Sequence, residues 1–453
     1  MFSFGVDLCL LSAAFAYIWY RYYSLNIILP FYNKGNWLVI GIYALIMYLM
    51  TKVYGGTKVS YLRKREAMLA QVIAVICTNV LAYLQISLIG RDFMLFVPII
   101  KLTLIDLIIT AIWTVAYSRL YLRLYPPRRL VIIYGSRLAS SVVDKMCRRT
   151  DKYMICESIK IDGDYDHEKV KEKILEYEGV IICDICDTDR NDILKYCFEQ
   201  SVRVYITPKI SDIIIRGAED ITLFDTPLIL CRNYGLSFEQ RFAKRCLDIV
   251  LSLVILPLAF VVGLICALAI KLYDGGTIFY RQKRLTLYGK EFEVIKFRSM
   301  VMNAEEDGVA RLADAADDRI TPVGVILRKF RLDEFPQLLN VLKGDMSLVG
   351  PRPERPELTN EYLEDMPEFK FRLDVKAGIT GYAQVMGKYD TTPYDKLKMD
   401  LMYIERYSVL FDIKILMMTL KTMIAPGKTN EEEGIASAKA PKKSGTSKKK
   451  AKN

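Results

Sequence analysis

Five apolar runs limit what this chain can fold into. A bilayer span takes about 20 predominantly apolar residues. Four candidates fall before residue 120, at residues 6–20, 37–50, 67–89 and 93–117. The loop between the second and third carries Lys52, Lys58, Arg63, Lys64 and Arg65, and the exit from the fourth carries Arg119, Arg123, Arg128 and Arg129. Cytoplasmic loops collect such charges, so the amino terminus and everything after Pro126 are expected in the cytoplasm. No basic segment precedes the first run, so a cleaved signal peptide is not expected. Asp106 lies inside the fourth run. An intramembrane carboxylate is a functional candidate; the plainer expectation is a helix-packing contact or a partner for Lys101.

The fifth run, residues 249–270, is 22 residues long and carries no charge. Both of its flanks are basic, with Lys244 and Arg245 before it and Lys271, Arg281, Lys283 and Arg284 after it. A true crossing would export one cluster together with the polar sequence that follows, against the charge bias. Pro257 sits inside the run, removing one backbone donor and favouring a kink. The pattern predicts a helix–break–helix hairpin that enters and leaves one leaflet, with an ordinary kinked span as the alternative.

Between these membrane segments, residues 128–237 alternate strand-like and helical stretches, which predicts a parallel sheet. RRLVIIYGSRLASSVVDKM reads as a buried strand, a glycine turn and a helix. A dinucleotide site needs three glycines at such a turn, and only Gly135 is present. A scaffold or sensor role is therefore expected over cofactor binding. Cys183 and Cys186 form a lone CxxC with no second pair. The ten cysteines have no spacing that reads as a disulfide framework. His167 is the only histidine, which removes Ser-His-Asp and Cys-His triads and most His-ligated zinc sites. Net charge is +11, of which the lysine-rich stretch from Gly427 supplies +5, eight Lys against three Glu. That stretch reads as a disordered tail drawn to anionic lipid, or a solubilising one.

The segment RLDEFPQLLNVLKGDMSLVGPRPE places Asp333 and Glu334 just before Pro336, a residue suited to a first helical turn, with Gly344 suited to its end. Lys296, Arg298, Arg328 and Arg352 are nearby in sequence. Adjacent acids in that position serve as capping charges, or bind Mg²⁺ beside a phosphate-binding cluster, or attack phosphorus. Spacing alone leaves these open.

LRKFRLDEFPQLLNVLKGDMSLVGPRPE, with FEVIKFRSM, AGITGYAQV and the upstream AKRCLDIVLSLVILP, resembles the bacterial sugar transferase family, the monotopic polyprenyl-phosphate phosphoglycosyl transferases. The resemblance covers residues 242–423. The membrane and α/β segments before it resemble the long-form members, the undecaprenyl-phosphate hexose-1-phosphate transferases of exopolysaccharide and capsule synthesis. The resemblance implies transfer of hexose-1-phosphate from a UDP-sugar, glucose or galactose first and N-acetylhexosamine as the alternative, to undecaprenyl phosphate with release of UMP. It implies Asp333 as a nucleophile that forms a covalent phosphosugar intermediate and Glu334 as the partner carboxylate, the two holding Mg²⁺. Lys296, Arg328 and Arg352 match the family's phosphate-holding cations. Placed near a helix amino terminus and among cations, Asp333 is expected to stay ionised at neutral pH.

The implied architecture is a membrane α plus α/β protein. It comprises four transmembrane helices (1–127), a degenerate Rossmann-like, CoA-binding-like domain (128–237), a re-entrant-hairpin α/β catalytic domain at the membrane surface (238–426, membrane helix about 247–271) and the tail (427–453). The expected setting is the bacterial inner membrane with the catalytic domain on the cytoplasmic face. Expected partners are the two substrates, membrane lipids and a second copy in a homodimer, with no nucleic acid. Two positions depart from the family pattern: Leu256-Pro257 stands where a Ser-Pro pair is common, and Thr286 replaces the first glycine of a QxRxGxxG turn. The rival reading is a non-enzymatic membrane assembly or regulatory protein.

Overall fold

The computed structural model describes residues 2–27, 30–57, 62–135, 139–161, 165–232, 235–302, 319–387 and 391–424. Lys58, Asp318, residues 136–138 of the glycine turn and the lysine-rich tail lie outside the described residues. The chain divides into two compact units, Met1–Asp212 and Ile213–Asn453.

The first unit opens with four helices: α1 (Phe2–Ile18), α2 (Asn33–Tyr54), α3 (Lys64–Gly90) and α4 (Val97–Leu124). A π-helical turn, Trp19–Tyr23, prolongs α1. α2 and α3 extend beyond their apolar runs at both ends, whereas α1 and α4 are shifted along theirs, because hydrogen bonding and caps set the ends; Gly55 closes α2 at φ 79°. Among the described residues four helices are long and apolar enough to cross a membrane. Three are here, at Lys34–Tyr54, Lys64–Gly90 and Val97–Leu124; the fourth is Phe238–Asp274. The α1 helix, at 17 residues, is shorter than these. The bundle core is aromatic: Phe15 stacks on Tyr43 with centroids 4.0 Å apart, and Trp19 donates to Asn36 at 2.9 Å. Asp106 is fully buried and accepts from Tyr43 and Asn79, while Lys101 lies over the Tyr22 ring. Asp106 is thus a contact between helices, and Lys101 is not its partner.

The same unit contains a four-stranded parallel sheet of order β2-β1-β3-β4, built from β1 (Arg128–Tyr134), β2 (Tyr153–Lys160), β3 (Gly179–Cys183) and β4 (Arg203–Ile206). Helices α5 (Ala139–Cys147), α6 (His167–Leu175) and α7 (Asp187–Glu199) connect the strands. The central strands β1 and β3 are buried on both faces, as a covered parallel sheet requires. A Cβ at Gly135 would lie 2.1 Å from the Asp184 carbonyl oxygen, so the glycine serves a close crossing of two backbones. Cys183 is buried in the sheet while Cys186 is exposed beside Asp189; neither is in a disulfide.

Helix α8 (Ile210–Gly217) carries the chain into the second unit, followed by a hairpin of β5 (Glu219–Leu223) and β6 (Thr226–Leu230). Next comes α9 (Phe238–Asp274), a single helix of 37 residues with Pro257 inside it. A helix–break–helix was expected here; helical hydrogen bonding instead continues past the proline, which removes only one donor. A capping box starts the helix, with Ser237 and Gln240 exchanging backbone hydrogen bonds. Its buried residues, Lys244, Asp248, Ser252, Ala259, Cys266 and Ile270, recur at intervals of four and seven and form one stripe. Away from that stripe Val254, Leu258 and Phe260 are exposed.

The remainder is short elements packed on that stripe. An antiparallel pair, β7 (Phe279–Leu285) and β8 (Glu291–Phe297), leads to α10 (Pro322–Lys329) and α11 (Gln337–Lys343). Strand β9 (Ser347–Val349), α12 (Pro356–Asp365), β10 (Gly378–Thr380), α13 (Tyr382–Met386), α14 (Pro393–Glu405) and α15 (Val409–Ile424) complete the unit. Strands β9 and β10 pair in parallel, and Gly350 sits where their backbones meet. A Cβ there would lie 2.4 Å from the Lys376 carbonyl oxygen, which gives the glycines of the GPRPE and AGITGY motifs a packing reason.

Candidate active site

The site is assembled on the turn between α10 and α11. Thr321 caps α10, accepting from the Gly324 amide at 2.9 Å. The helix ends at Lys329, Arg331 takes a left-handed conformation at φ 53°, and Leu332–Glu334 forms a 3₁₀ turn that feeds α11. Asp333 and Glu334 therefore stand immediately before α11, as their spacing from Pro336 and Gly344 predicts. Asn340 of α11 fixes this turn against β8: its side chain donates to the Glu293 carbonyl at 2.7 Å and accepts from the Ile295 amide at 3.1 Å. That two-way clamp sets Lys296 opposite the dyad.

The two acids have different surroundings. Glu334 is 8% exposed; Arg352 donates to it at 3.1 Å, and the Lys296 ammonium lies 3.9 Å away. Burial alone would raise its carboxyl, but Arg352, Lys296 and Arg331 together outweigh that and hold it down at about 2. Asp333 is partly buried and, among the described residues, has no ion pair or hydrogen bond of its own. Burial first, then the neighbouring Glu334 charge, pushes Asp333 up to about 6, with Lys296, Arg328 and Arg352 opposing. The shift is upward where the cations alone predict a downward one. Burial pushes Lys296 down to about 8.

Three of the expected cations thus come to the dyad or flank it: Lys296, Arg352 and Arg328, whose guanidinium is also fixed by a 2.9 Å hydrogen bond to Ser299. Arg298 does not come to it. It lies past the end of β8, is 8% exposed, and pairs with Asp274 at the end of α9. Pro257 sits in α9, on the second unit's apolar surface rather than among the charges.

Several residues that position the site were not singled out in the sequence. The backbone of Gly350–Glu354, which presents Arg352, is held by the partly buried Arg284 and the buried Arg372. Arg284 donates to the Pro353 carbonyl at 3.1 Å, and Arg372 donates to the Arg352 carbonyl at 2.9 Å. Arg372 in turn pairs with the buried Asp400 at 2.9 Å, and Glu354 lies within 3.8 Å of both arginines. Arg284 belongs to the QKR stretch and Glu354 to GPRPE, whereas Arg372 and Asp400 lie in neither motif. Thr286, the departure from glycine, is buried and ties two segments together: its hydroxyl donates to the Asp345 carbonyl at 2.9 Å and accepts from the Ala377 amide at 3.2 Å. The glycine role at this turn passes to Tyr288 and Gly289, at φ 58° and 75°.

A carboxylate without a partner among the described residues, a second one clamped by cations, and three basic side chains beside them form an arrangement suited to handling phosphate. Comparisons with known proteins agree in place and kind. The family model described as bacterial sugar transferase matches residues 239–426. The chain is 39% identical over 186 residues to a protein of Aeromonas hydrophila named UDP-N-acetylgalactosamine-undecaprenyl-phosphate N-acetylgalactosaminephosphotransferase, the match covering 40% of this chain and 44% of that one. It is 41% identical over 211 residues to an Escherichia coli protein named UDP-glucose:undecaprenyl-phosphate glucose-1-phosphate transferase, covering 46% and 44%. The matches to these two relatives span less than half of their length. A Caulobacter vibrioides protein named UDP-glucose:undecaprenyl-phosphate glucose-1-phosphate transferase is 40% identical over 186 residues, covering 40% of this chain and 69% of its own length. With more than two thirds of that shorter relative matched, and the family model falling on the unit that carries the dyad, the chain belongs to the bacterial sugar transferase family.

Proposed function

We propose that this protein transfers hexose-1-phosphate from a UDP-sugar to undecaprenyl phosphate, releasing UMP, and so begins assembly of an exopolysaccharide or capsule repeat unit. The observation that carries this reading is Asp333, an unpartnered carboxylate beside a carboxylate already neutralised by Arg352 and Lys296. In the first step an Asp333 oxygen attacks the sugar-side phosphorus. The bond from that phosphorus to the bridging oxygen breaks, and UMP leaves with the electron pair. In the second step an oxygen of the lipid phosphate attacks the same phosphorus and returns the Asp333 carboxylate. Lys296, Arg328 and Arg352 hold the phosphates, and Glu334 keeps two of those cations in place. The donor set fits Mg²⁺ shared with a diphosphate, because that ion takes one or two carboxylates and fills its octahedron with water and phosphate oxygens; Asp333 and Glu334 would hold it. When bound, Mg²⁺ supplies charge neutralisation of the diphosphate.

The relatives' names support glucose as the donor sugar, and the Aeromonas name keeps N-acetylhexosamine as the second reading. Purified protein with lipid acceptor and a panel of radiolabelled UDP-sugars tests the reaction and its donor together. UMP release should rise with pH through about 6, as Asp333 loses its proton, and decline above about 8, as Lys296 loses its charge. No UMP from any donor would leave the regulatory-protein reading standing; a rate level across the acid limb would remove Asp333 as the base form that attacks.

The setting belongs to the same proposal. The α9 helix is read as re-entrant, a continuous helix that bends at Pro257 so that both ends lie on one leaflet, with the catalytic face in the cytoplasm. Its supports are the anchors at both ends: Lys244, Arg245 and Asp248 bind the second unit near the start, and Cys266 and Ile270 pack on Phe297 and Leu327 near the end. Cysteines placed near Lys244 and near Lys283 should both label from the cytoplasmic side only; periplasmic labelling of either would establish a crossing. The parallel sheet of the first unit is read as a Rossmann-like scaffold, and its truncation should leave the chemistry in place.

A further inference from the structure

We propose that Arg298, through its ion pair with Asp274, is a positioning residue for the cations Lys296 and Arg328; its effect on catalysis rests on the transferase reading, its geometry does not. The four residues Lys296–Ser299 make contacts in four directions. The Lys296 ammonium lies 3.9 Å from Glu334. Phe297 packs on α9 beside Cys266 and Ile270, its ring 3.3 Å from where a Cβ on Gly263 would stand. Arg298 pairs with Asp274 in the last turn of α9. The Ser299 hydroxyl accepts from Arg328 at 2.9 Å, and its carbonyl accepts from the Thr321 amide at 3.1 Å, where α10 begins. On one side of Lys296 the strand is held by Asn340, which bonds Glu293 and Ile295. On the other side β8 ends at Phe297, and Arg298 ties the chain to α9: its amide donates to the Ile278 carbonyl at 2.9 Å, and its guanidinium is buried against Asp274. A buried guanidinium needs an acid beside it. The receiving turn accommodates this one. A Cβ at Gly276 would overlap the guanidinium, so a glycine leaves it room. Asp274 also accepts from the Gly276 amide at 3.1 Å, and Lys271 straps the same turn by donating to the Gly275 carbonyl at 2.6 Å. Lys296 thus lies between two tethers, and Ser299, which fixes Arg328, lies one residue past the second. Releasing Arg298 frees both cations at once, and misplacement by about 1 Å is enough to slow a reaction.

Full-length protein treated with a water-soluble carbodiimide should form an amide between the Lys296 amine and the Glu334 carboxyl, read as a linked peptide by mass spectrometry. Arg298→Met should cut that yield by about tenfold. It should also lower kcat/KM for UMP release by about 10- to 100-fold, chiefly through KM for the UDP-sugar, since the cations it places hold the donor's diphosphate. Added to Lys296→Met, it should cost much less than it does alone. If Arg298→Met does not fold, Arg298→Lys, which keeps the charge and shortens the reach, should weaken both readouts, and Asp274→Glu beside it should restore them in part. A pair that only stabilises the fold predicts a lower melting temperature with cross-link yield and KM at the parent's values, and costs that add in the Lys296→Met background; either result overturns the proposal. A parent that releases no UMP from any donor, with Arg298→Met still losing the cross-link, removes the transferase reading and leaves the positioning role in place.

Discussion

Asp333→Asn is expected to abolish turnover, lowering UMP release by about 10⁴-fold or more. The substitution keeps the shape of the side chain and removes the attacking oxygen. Asp333 has no structural hydrogen bond or ion pair among the described residues, so the variant should fold and melt like the parent. That separates a chemical loss from a structural one. Wild-type protein given UDP-sugar without lipid acceptor should release UMP once and keep sugar-phosphate on Asp333, visible as a mass increase on its peptide. Glu334→Gln should lose less, about 10²- to 10³-fold, because it leaves the nucleophile and disturbs Lys296 and Arg352. Direct attack by the lipid phosphate predicts no adduct and a rate that needs both substrates bound together; observing that would take Asp333 out of the nucleophile role.

The dyad was legible in the sequence because a proline, a glycine and two acids at fixed spacing define a turn before a short helix. Lys296 was legible through the family resemblance, which matches it to a phosphate-holding cation on a strand-like stretch. Arg298 was not. It shares parity with Lys296, but β8 ends at Phe297, the alternation ends with it, and Arg298 turns to Asp274 instead. The residues that hold Arg352 escaped notice because their meaning is tertiary: Arg372 and Asp400 are 28 positions apart and meet only when the second unit closes. Helix existence in the bundle followed from hydropathy, whereas the helix ends followed from caps that hydropathy does not report. Asp106 read as either a helix-packing contact or a partner for Lys101, and the packing of Tyr43 and Asn79 against it selects the first.

Lys244→Met is expected to destabilise the second unit by about 3–5 kcal/mol, a fall in melting temperature of roughly 10 °C. The Lys244 ammonium is 2.7 Å from Asp412 and 2.9 Å from the Tyr403 hydroxyl, with the Tyr407 ring below it at 5.4 Å. Both charged side chains are at most 7% exposed. Methionine replaces the volume of the lysine stem but leaves Asp412 buried with Tyr403 as its remaining donor, at 2.7 Å. Burial already raises the Asp412 carboxyl, with Lys244 the main opposing influence, so losing Lys244 should raise it further. A carboxyl raised in the folded state is penalised above its folded pKa and spared below it, so the deficit of Lys244→Met should shrink as pH falls. The double variant Lys244→Met/Asp412→Leu should recover most of the loss, since the cost lies in the orphaned charge rather than in the missing pair. The effect should also reach the site. Arg245, the next residue, donates to the Val341 and Leu342 carbonyls at the end of α11, and Asp248, one turn on, accepts from Ser347 and the Leu348 amide. Loosening the start of α9 therefore loosens the helix that the dyad precedes. Melting curves of the single and double variants across pH decide the matter: a single variant within about 1 kcal/mol of the parent, or a double variant no better than the single, would mean that the pair does not anchor the helix.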